Sequence, residues 1–290
     1  MSVFKYLSAD RVDVLRNATL RATQANALND PFELRPFIEN IATGDDLDGA
    51  MTKAQRSGGI AQKVYNGLPP EKRRLLSLDA IKSMLETPHI AAKLAEIQAQ
   101  VRQEMLQSLQ DNAEHFRQVM YDKLGSSVGI VSFSEVADQV LMWAHYSSDH
   151  KGFVIEFDDT HAFFDRRRGT DDEFFHLRQV FYVSPVPVYK SLGELDGNRV
   201  MCMKKGDWSY ERERRLLIPV DPQNFSGPGE PIHLIEFPQD AIRSVILGTR
   251  ASEETKTAIH AILTTDPRYD HVRIRSASIH ARTGDVVVAD

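Results

Sequence analysis

The sequence predicts an α+β protein built on a mainly antiparallel sheet, with a long helical insertion. Beyond Gly125 the chain contains many short apolar runs with little helical pattern between them, and consecutive strands favour antiparallel pairing. From Asp45 to Leu124 the apolar residues instead recur every three or four positions, the spacing of one helix face. No repeat of fixed period and no glycine-rich phosphate loop is found. We therefore expect one domain over residues 1–290, with a helical insertion at 45–124.

The N-terminal segment predicts a strand, a helix and a second strand. The apolar run FKYL, which ends at Leu7, is the first strand, and Ser8 is placed to cap the helix that follows. The second strand contains Arg21. The segment LNDPFE at 28–33 predicts a tight loop, because Asn and Asp side chains hydrogen-bond to their own backbone.

The insertion contains one long amphipathic helix that continues toward Leu124. Its apolar stripe follows spacings of four and three residues: Ile90, Leu94, Ile97, Val101, Met105, Leu109, Phe116 and Met120. Packing of this stripe against the sheet is the expected role. The alternative is a homodimer formed through the insertion.

The C-terminal half predicts most of the sheet. Its strand-like runs are VGIVSFS, GFVIEF, QVFYVSPVPVY, RRLLIPV, IHLIEF, SVILG, VRIRSASI and DVVVA. One helix is expected over Val136–Tyr146, with Ser134 as its cap. Another is expected from Ser252 to Leu263, where Glu253 and Glu254 suit the positive end of the helix dipole.

The composition is that of an ordinary folded protein. Hydrophobic residues make up 42% and charged residues 26% of the chain, and its net charge of −6 argues against general attraction to nucleic acid or anionic membranes. The single cysteine excludes an intramolecular disulfide framework. With no signal-like N-terminus and no membrane-length apolar run, we expect a cytoplasmic protein without membrane contact. His145, Asp149 and His150 lack metal-ligand spacing, so we expect no metal.

Two carboxylates mark the most informative segment, WSYERERRLLIP at 208–219. If Glu211 and Glu213 both lie on a strand, they share one face, and neighbouring carboxylates raise one another's pKa. A fold keeps such a pair more readily when a ligand or cation uses it. We take Arg215 as the nearest counter-ion, on the opposite strand face from Glu213. The alternative is an exposed strand end with surface salt bridges.

Hydroxyl and aromatic groups form a second set of candidates. Ser132 and Ser134 share one strand face, so one hydroxyl is able to meet a ligand while the other caps a helix. Trp143, His145 and Tyr146 end the helix that follows, and amphipathic rings suit stacking on a planar ligand.

Four segments together resemble a bacterial family of unknown function. They are LNDPFE at 28–33, SFSE at 132–135, LMWAHYSSDHKGFVIEFD at 141–158 and WSYERERRL at 208–216. The resemblance covers nearly the whole chain apart from the insertion at 45–124. It implies no established activity.

The order of Ser132-Phe133-Ser134 and Glu211-Arg212-Glu213 also resembles the ADP-ribosyltransferase superfamily. That resemblance implies NAD as the substrate, with Glu213 gripping the nicotinamide ribose and stabilising an oxocarbenium-like transition state. Glu211 would orient or deprotonate the acceptor, the serines would position Glu213, and aromatic rings would stack on nicotinamide. Arg21 would supply the early basic motif, or Tyr6 would replace it. The remaining ligand-binding candidates are Asn29, Trp143, His145, Tyr146 and Arg215.

Three functions are therefore weighed. The first is an NAD glycohydrolase or ADP-ribosyltransferase of bacterial stress or phage defence, which passes ADP-ribose to water or a macromolecule. The second is a nucleotide- or nucleic-acid-binding protein of such a system, without NAD chemistry. In the third, the motifs are scaffold: Asn29 and Asp30 fix a turn, Trp143 fills a core, and Glu213 bonds Arg215 or Lys204 in a buried network. Convergence of Tyr6, Ser132, His145 and Glu213 on one cleft would favour the first.

Overall fold

The computed structural model describes residues 1–30, 32–56, 59–221 and 232–289, and the chain divides into two compact units. The first, here called the sheet unit, comprises residues 1–36, 121–187 and 196–290. The second, the helical unit, comprises residues 37–120 and 188–195. The single domain over 1–290 with an insertion at 45–124 stays a prediction.

The secondary structure contains many short strands and one long helix. The strands in chain order are β1 (Ser2–Leu7), β2 (Thr19–Gln24), β3 (Phe37–Asn40), β4 (Val128–Ser134), β5 (Phe153–Asp158), β6 (Leu177–Gln179), β7 (Phe181–Val183), β8 (Val188–Ser191), β9 (Met203–Lys205), β10 (Glu213–Pro219), β11 (His233–Glu236), β12 (Ile242–Leu247), β13 (Arg273–Ile279) and β14 (Val286–Val288). The helices are α1 (Asp13–Asn17), α2 (Gly44–Arg56), α3 (Gly59–Gly67), α4 (Pro70–Arg73), α5 (Leu78–Leu85), α6 (Pro88–Asp111), α7 (Ala113–Ser127), α8 (Val140–Tyr146), α9 (Gly197–Met201) and α10 (Glu253–Thr265).

Within the described residues, ten strands of the sheet unit form one sheet. Its main path runs β11-β2-β4-β1-β5-β12-β13-β14, while β10 pairs with β4 and β6 pairs with β10. Pairing is antiparallel except between β12 and β13, which the helix α10 connects in parallel. The predicted α+β class is confirmed.

Strand β4 has a forked edge. One of its edges pairs with β10 along the whole length, from Val128 to Ser134. On the other edge, β1 meets β4 at Ser134, while β2 meets it at Gly129 and Ile130. The backbone of Ser132 lies between these two partners, so the sheet opens at this position.

The centre of the sheet is buried on both faces. On β5, Phe153, Val154, Ile155 and Phe157 are fully buried, so both alternating faces of the strand lie in apolar surroundings. The ring of Phe157 packs edge-on against Phe133 of β4. This packing makes β4 and its neighbours a firm support for side chains at the fork.

A left-handed turn joins α8 to β5. Ser148, Asp149 and His150 all have positive φ, from 50° to 67°, which costs free energy for residues with a side chain. Gly152 follows, and a Cβ atom there would collide with the carbonyl oxygen of Leu7. The close approach fixes the end of α8 and the start of β5 against the end of β1.

The helix expected over Val136–Tyr146 is shorter than predicted. It begins at Val140, and Gln139 rather than Ser134 caps it. Ser134 instead accepts a hydrogen bond from Val136 N (3.2 Å) in a local turn. The prediction that Ser134 caps this helix is therefore wrong.

The run QVFYVSPVPVY does not form one strand. Its residues contribute to β6, β7 and β8, which belong to three different sheets. Pro185 and Pro187 lack the N–H that a continuous strand would donate, and the chain bends there.

The helical unit contains α2 to α6 and the parallel pair of β3 and β8. The long helix ends at Asp111, and α7 begins at Ala113, so the continuous helix expected toward Leu124 is broken at Asn112. No residue of α6 is buried. Packing of the stripe against the sheet and the homodimer both stay predictions.

Among the residues that the structure describes, no helix combines the length and the apolar character needed to cross a membrane.

Candidate functional site

A cavity of about 250 Å³ lies at the fork of β4 in the sheet unit. Residues of β1, β2 and β4 form one side of it, and the loop before Asn29 and the helix α8 contribute others. The apolar part of the wall includes Phe4, Leu28 and Met142. The polar part consists of charged, hydroxyl and amide side chains: Lys5, Tyr6, Thr23, Asn29, Glu33, Ser132, Ser134, Tyr146, Lys204, Glu211 and Glu213.

A backbone junction brings the two predicted carboxylates together. Glu211 ends a 3₁₀ helix, Arg212 adopts a left-handed conformation (φ 44°, ψ 52°), and β10 begins at Glu213. Both carboxylates reach Lys204, whose Nζ lies 2.6 Å from Glu211 Oε2 and 3.2 Å from Glu213 Oε2. The pair converges as expected, but Glu211 precedes the strand, so a shared strand face is not the reason.

Arg215 completes a buried ion network. It donates from Nε to Glu213 Oε1 (2.8 Å) and from a terminal nitrogen to Oε2 (3.0 Å), and it forms an ion pair with Glu33. The prediction that Arg215 lies on the strand face opposite Glu213 was wrong, because residues two apart on a strand share a face. Arg215 is fully buried, and Glu33 also lies 3.8 Å from Lys204. The network proposed in the scaffold interpretation is therefore present.

The network holds three carboxylates against two cations, Lys204 and Arg215. Burial lowers the pKa of Lys204, but Glu213 and Glu211 outweigh it, and the pKa rises above its usual value. Burial also raises the pKa of the Glu213 carboxyl, and Lys204 opposes that rise without cancelling it. The Ser132 hydroxyl lies beside Glu213 and favours its ionised form.

Tyr146 links this network to Asn29 in the cavity wall. Its hydroxyl donates to Glu211 Oε1 at 2.5 Å and accepts from Asn29 Nδ2 at 2.5 Å. Burial, reinforced by the charge of Glu211, raises the pKa of the Tyr146 phenol. The phenol therefore stays protonated at neutral pH and acts as a donor toward Glu211.

Part of this geometry falls within a range that is similar to a known family. Residues 142–216 match the model of a protein of unknown function, DUF2971. The matched range, here called the DUF2971 segment, carries Tyr146, Lys204, Glu211, Glu213 and Arg215. No curated protein and no solved structure matches the chain. Similarity to a family of unknown function is thus supported over this range, and the family brings no activity with it.

Seven predicted site residues line the cavity, three of them from the DUF2971 segment: Tyr6, Asn29, Ser132, Ser134, Tyr146, Glu211 and Glu213. Ser134 has a structural role there, because its buried hydroxyl donates to the carbonyl oxygen of Glu211 (2.7 Å). Tyr6 donates to the carbonyl oxygen of Val136 (2.9 Å). Tyr6, Ser132 and Glu213 therefore line one cavity, whereas His145, the fourth residue expected to converge with them, does not.

Other predicted residues lie elsewhere. Trp143, at the start of the DUF2971 segment, is fully buried and donates to the carbonyl oxygen of Ala137 (2.7 Å), so its ring has no free face for a ligand. His145 is exposed, with Nδ1 3.4 Å from the Tyr210 hydroxyl. Arg21 lies opposite the β11 strand. These residues and Arg215 do not line the cavity.

The sequence interpretation missed two charged groups of the cavity. Glu33 closes the LNDPFE loop, and Lys5 lies within the apolar run FKYL. A charged residue inside an otherwise apolar strand is the signal that would have identified Lys5. In the described part of the chain, no three His, Cys, Asp or Glu side chains form a group suited to a metal ion.

Proposed function

We propose that the cavity binds the nicotinamide-ribose part of NAD and that the protein cleaves the bond between nicotinamide and ribose. The arrangement that supports this most is Glu213 beside Ser132 on neighbouring strands, at the fork where the cavity opens. A carboxylate at that position meets the ribose and stabilises the positive charge that develops as nicotinamide leaves. Such electrostatic stabilisation is worth on the order of 3 kcal/mol for one well-placed group.

The proposed reaction assigns one task to each acidic group. The bond between ribose C1 and the pyridinium nitrogen breaks, and its electron pair leaves with nicotinamide. Glu213 stabilises the cationic sugar that remains. Glu211 orients the incoming water or acceptor group and takes its proton as the new bond to C1 forms.

The size of the cavity favours the binding of only one part of the dinucleotide NAD. About 250 Å³ falls just below the roughly 300–1,000 Å³ of typical small-molecule pockets. The apolar wall of Phe4, Leu28 and Met142 suits a flat ring, and the acidic wall suits ribose hydroxyls. The rest of NAD would extend outside.

Release of nicotinamide from NAD by the purified protein tests the proposal. Glu213→Gln is expected to reduce the rate by roughly 100-fold or more, as loss of a transition-state contact does. Glu156→Gln is the matched control, because Glu156 is a bonded, largely buried carboxylate that does not line this cavity. Wild-type release by a folded Glu213→Gln protein would remove Glu213 from the mechanism.

Because Glu213→Gln also disturbs the ion network, Ser132→Ala provides a second variant. It leaves every ion pair in place and removes only the hydroxyl beside Glu213. We expect about tenfold slower release with an unchanged melting temperature.

We further propose that the ADP-ribose passes to water or to a macromolecule, and that the protein acts in bacterial stress or phage defence.

A second candidate is nucleotide binding without chemistry on NAD. It is favoured by the engagement of both Glu213 oxygens, which already accept from Arg215 and Lys204. A thermal-shift panel separates the two, since a ligand at about 100 times its Kd stabilises by about 2.7 kcal/mol. Stabilisation by mononucleotides or oligonucleotides, with none by NAD and no nicotinamide release, would favour binding alone.

A further inference from the structure

Lys5 occupies the fork of the sheet and belongs to the cavity wall. Its Nζ donates to the carbonyl oxygen of Ser132 at 2.8 Å, the backbone group left between β1 and β2. The Phe133 ring lies 5.8 Å from the amine. The side chain keeps part of its surface accessible, and that surface borders the cavity.

The two lysines of the cavity are in opposite electrostatic situations. Lys204 is surrounded by the carboxylates of Glu211, Glu213 and Glu33. Lys5 forms no ion pair with any residue that the structure describes, and its amine donates to a neutral carbonyl oxygen, that of Ser132. The Lys204 amine is therefore held as a structural cation, while the Lys5 amine is available to react with a ligand.

The charged and titratable groups around Lys5 shift the pKa of its amine in different directions. Burial lowers the pKa of Lys5 to about 8, Glu213 opposes this, and Arg11 adds to it. The cavity wall also carries Glu33, Glu211, Tyr146 and Lys204. At pH 7, about a tenth of such an amine is neutral, against well under a thousandth for an ordinary lysine with a pKa of about 10.4.

We infer that Lys5 is a nucleophilic amine that condenses with the aldehyde or ketone group of a hydroxylated ligand held in the cavity. The nitrogen lone pair attacks the carbonyl carbon, and the carbonyl oxygen gains a proton to become a hydroxyl. The resulting carbinolamine loses that hydroxyl as water, and the nitrogen gives up its second proton, which leaves an imine. Solvent exchanges these protons, because both Glu213 oxygens already accept from Lys204 and Arg215.

The ligand class follows from the rest of the wall. Asn29, Tyr146 and Glu211 present hydrogen-bonding groups that suit several hydroxyls, and about 250 Å³ accommodates a small sugar in its open-chain form. The inference does not require NAD cleavage, because a free carbonyl group is the reacting part of the ligand.

Reductive trapping tests the inference on the wild-type chain. Glyceraldehyde and sodium cyanoborohydride at pH 7 convert an imine into a stable secondary amine, which peptide mass spectrometry locates. We expect Lys5 to be modified at least tenfold faster than the exposed Lys151, and Lys204 to remain unmodified. Fragmentation of the N-terminal peptide separates Lys5 from the Met1 amino group.

The pH profile and one variant complete the test. The rate at Lys5 should level off above about pH 8, while the rate at Lys151 continues to rise. Lys5→Arg should abolish that adduct and leave the adduct at Lys151 unchanged. Modification of Lys5 no faster than of Lys151 at pH 7 would overturn the inference, whatever the outcome of the NAD assay.

Discussion

Glu213 lies between two buried cations, and the removal of its charge takes one ion-pair partner from each, which leaves Lys204 with Glu211 and Glu33 and Arg215 with Glu33. We expect Glu213→Gln to lower the free energy of unfolding by about 3–5 kcal/mol, because Lys204 and Arg215 stay buried. Urea unfolding followed by circular dichroism measures the change.

Glu135→Gln is the control for this prediction. Glu135 lies 3.6 Å from Arg214 and 3.7 Å from Arg212, with its side chain 29% exposed. Pairs of this kind contribute less than about 1 kcal/mol. Equal losses of unfolding free energy in the two variants would show that the buried network contributes no more to stability than the partly exposed ion pairs of Glu135.

The Lys5 amine leads to a separate prediction, which concerns how the stability of the protein depends on pH. Below about pH 8 the amine is protonated in both the folded and the unfolded chain, and the folded chain bears the cost of a poorly solvated charge. Between about pH 8 and 10.5 the unfolded chain binds the proton and the folded chain does not, so the contribution of this position to stability rises with pH. Lys5→Met should therefore stabilise the protein at pH 7 by on the order of 2 kcal/mol.

The same advantage of Lys5→Met should shrink as the pH rises from about 8 to 10.5. Tyrosine and cysteine titrations are common to both proteins and cancel in the difference between their unfolding free energies. Urea unfolding at several pH values supplies that difference. A difference that stays constant from pH 7 to 10 would show that the Lys5 amine is not perturbed by its surroundings.

At the residue scale, the sequence predicted the acidic pair but not its complete set of partners. Glu211 and Glu213 are close in sequence, so their convergence was accessible to a local argument. Lys5 and Glu33 reach the cavity only through strand pairing and a loop distant along the chain. Strand alternation, applied correctly, would have placed Arg215 beside Glu213.

At the element scale, the turn between α8 and β5 determines where Tyr146 meets the cavity. Gly152 touches the backbone of Leu7, and an added Cβ would have to displace that carbonyl group. We expect Gly152→Ala to lower the free energy of unfolding by about 2 kcal/mol or more, since backbone on both sides must shift. Thermal or urea unfolding measures the loss.

Gly49→Ala is the matched substitution for this prediction. Gly49 lies inside α2, and a Cβ there meets nothing nearby. Alanine should stabilise that helix by up to about 1 kcal/mol. Destabilisation of similar size in both variants would show that the contact with Leu7 is not the cause.

Elements with a clear apolar pattern were predictable, and those decided by distant partners were not. The runs FKYL, GFVIEF and SVILG correspond to β1, β5 and β12, because buried strands need continuous apolar residues. QVFYVSPVPVY has the same composition but divides among three sheets. Its prolines were visible in the sequence and indicated that the run does not continue as one strand.

At the scale of the whole molecule, the fork of β4 is the feature that local patterns do not encode. It arises because β1 and β2 share one edge of a strand whose other edge is filled by β10. Each of these strands was predicted separately, but their order in the sheet depends on pairings between distant parts of the chain. The cavity follows from that order, which explains why its outline was not accessible from the sequence.

The helical unit and the sheet unit should differ in local stability. None of the residues of α6 is buried, and Ile97, Val101 and Met105 are 44–49% exposed, whereas Phe153, Val154 and Ile155 of β5 are fully buried. Opening a segment with few buried contacts costs less free energy, so amides of α6 should exchange with deuterium at least roughly 100-fold faster than those of β5. Hydrogen exchange followed by mass spectrometry measures both segments in one experiment.

Equal protection of α6 and β5 would contradict that prediction and would require a cover over the apolar stripe. A second copy of the chain is the cover that the sequence pattern suggested, and light scattering would then report a dimer. Val101→Glu places a charge in the middle of the stripe, and it should return a dimer to the monomeric mass while accelerating exchange in α6. Thr52→Glu, at an exposed position of α2, controls for the added charge.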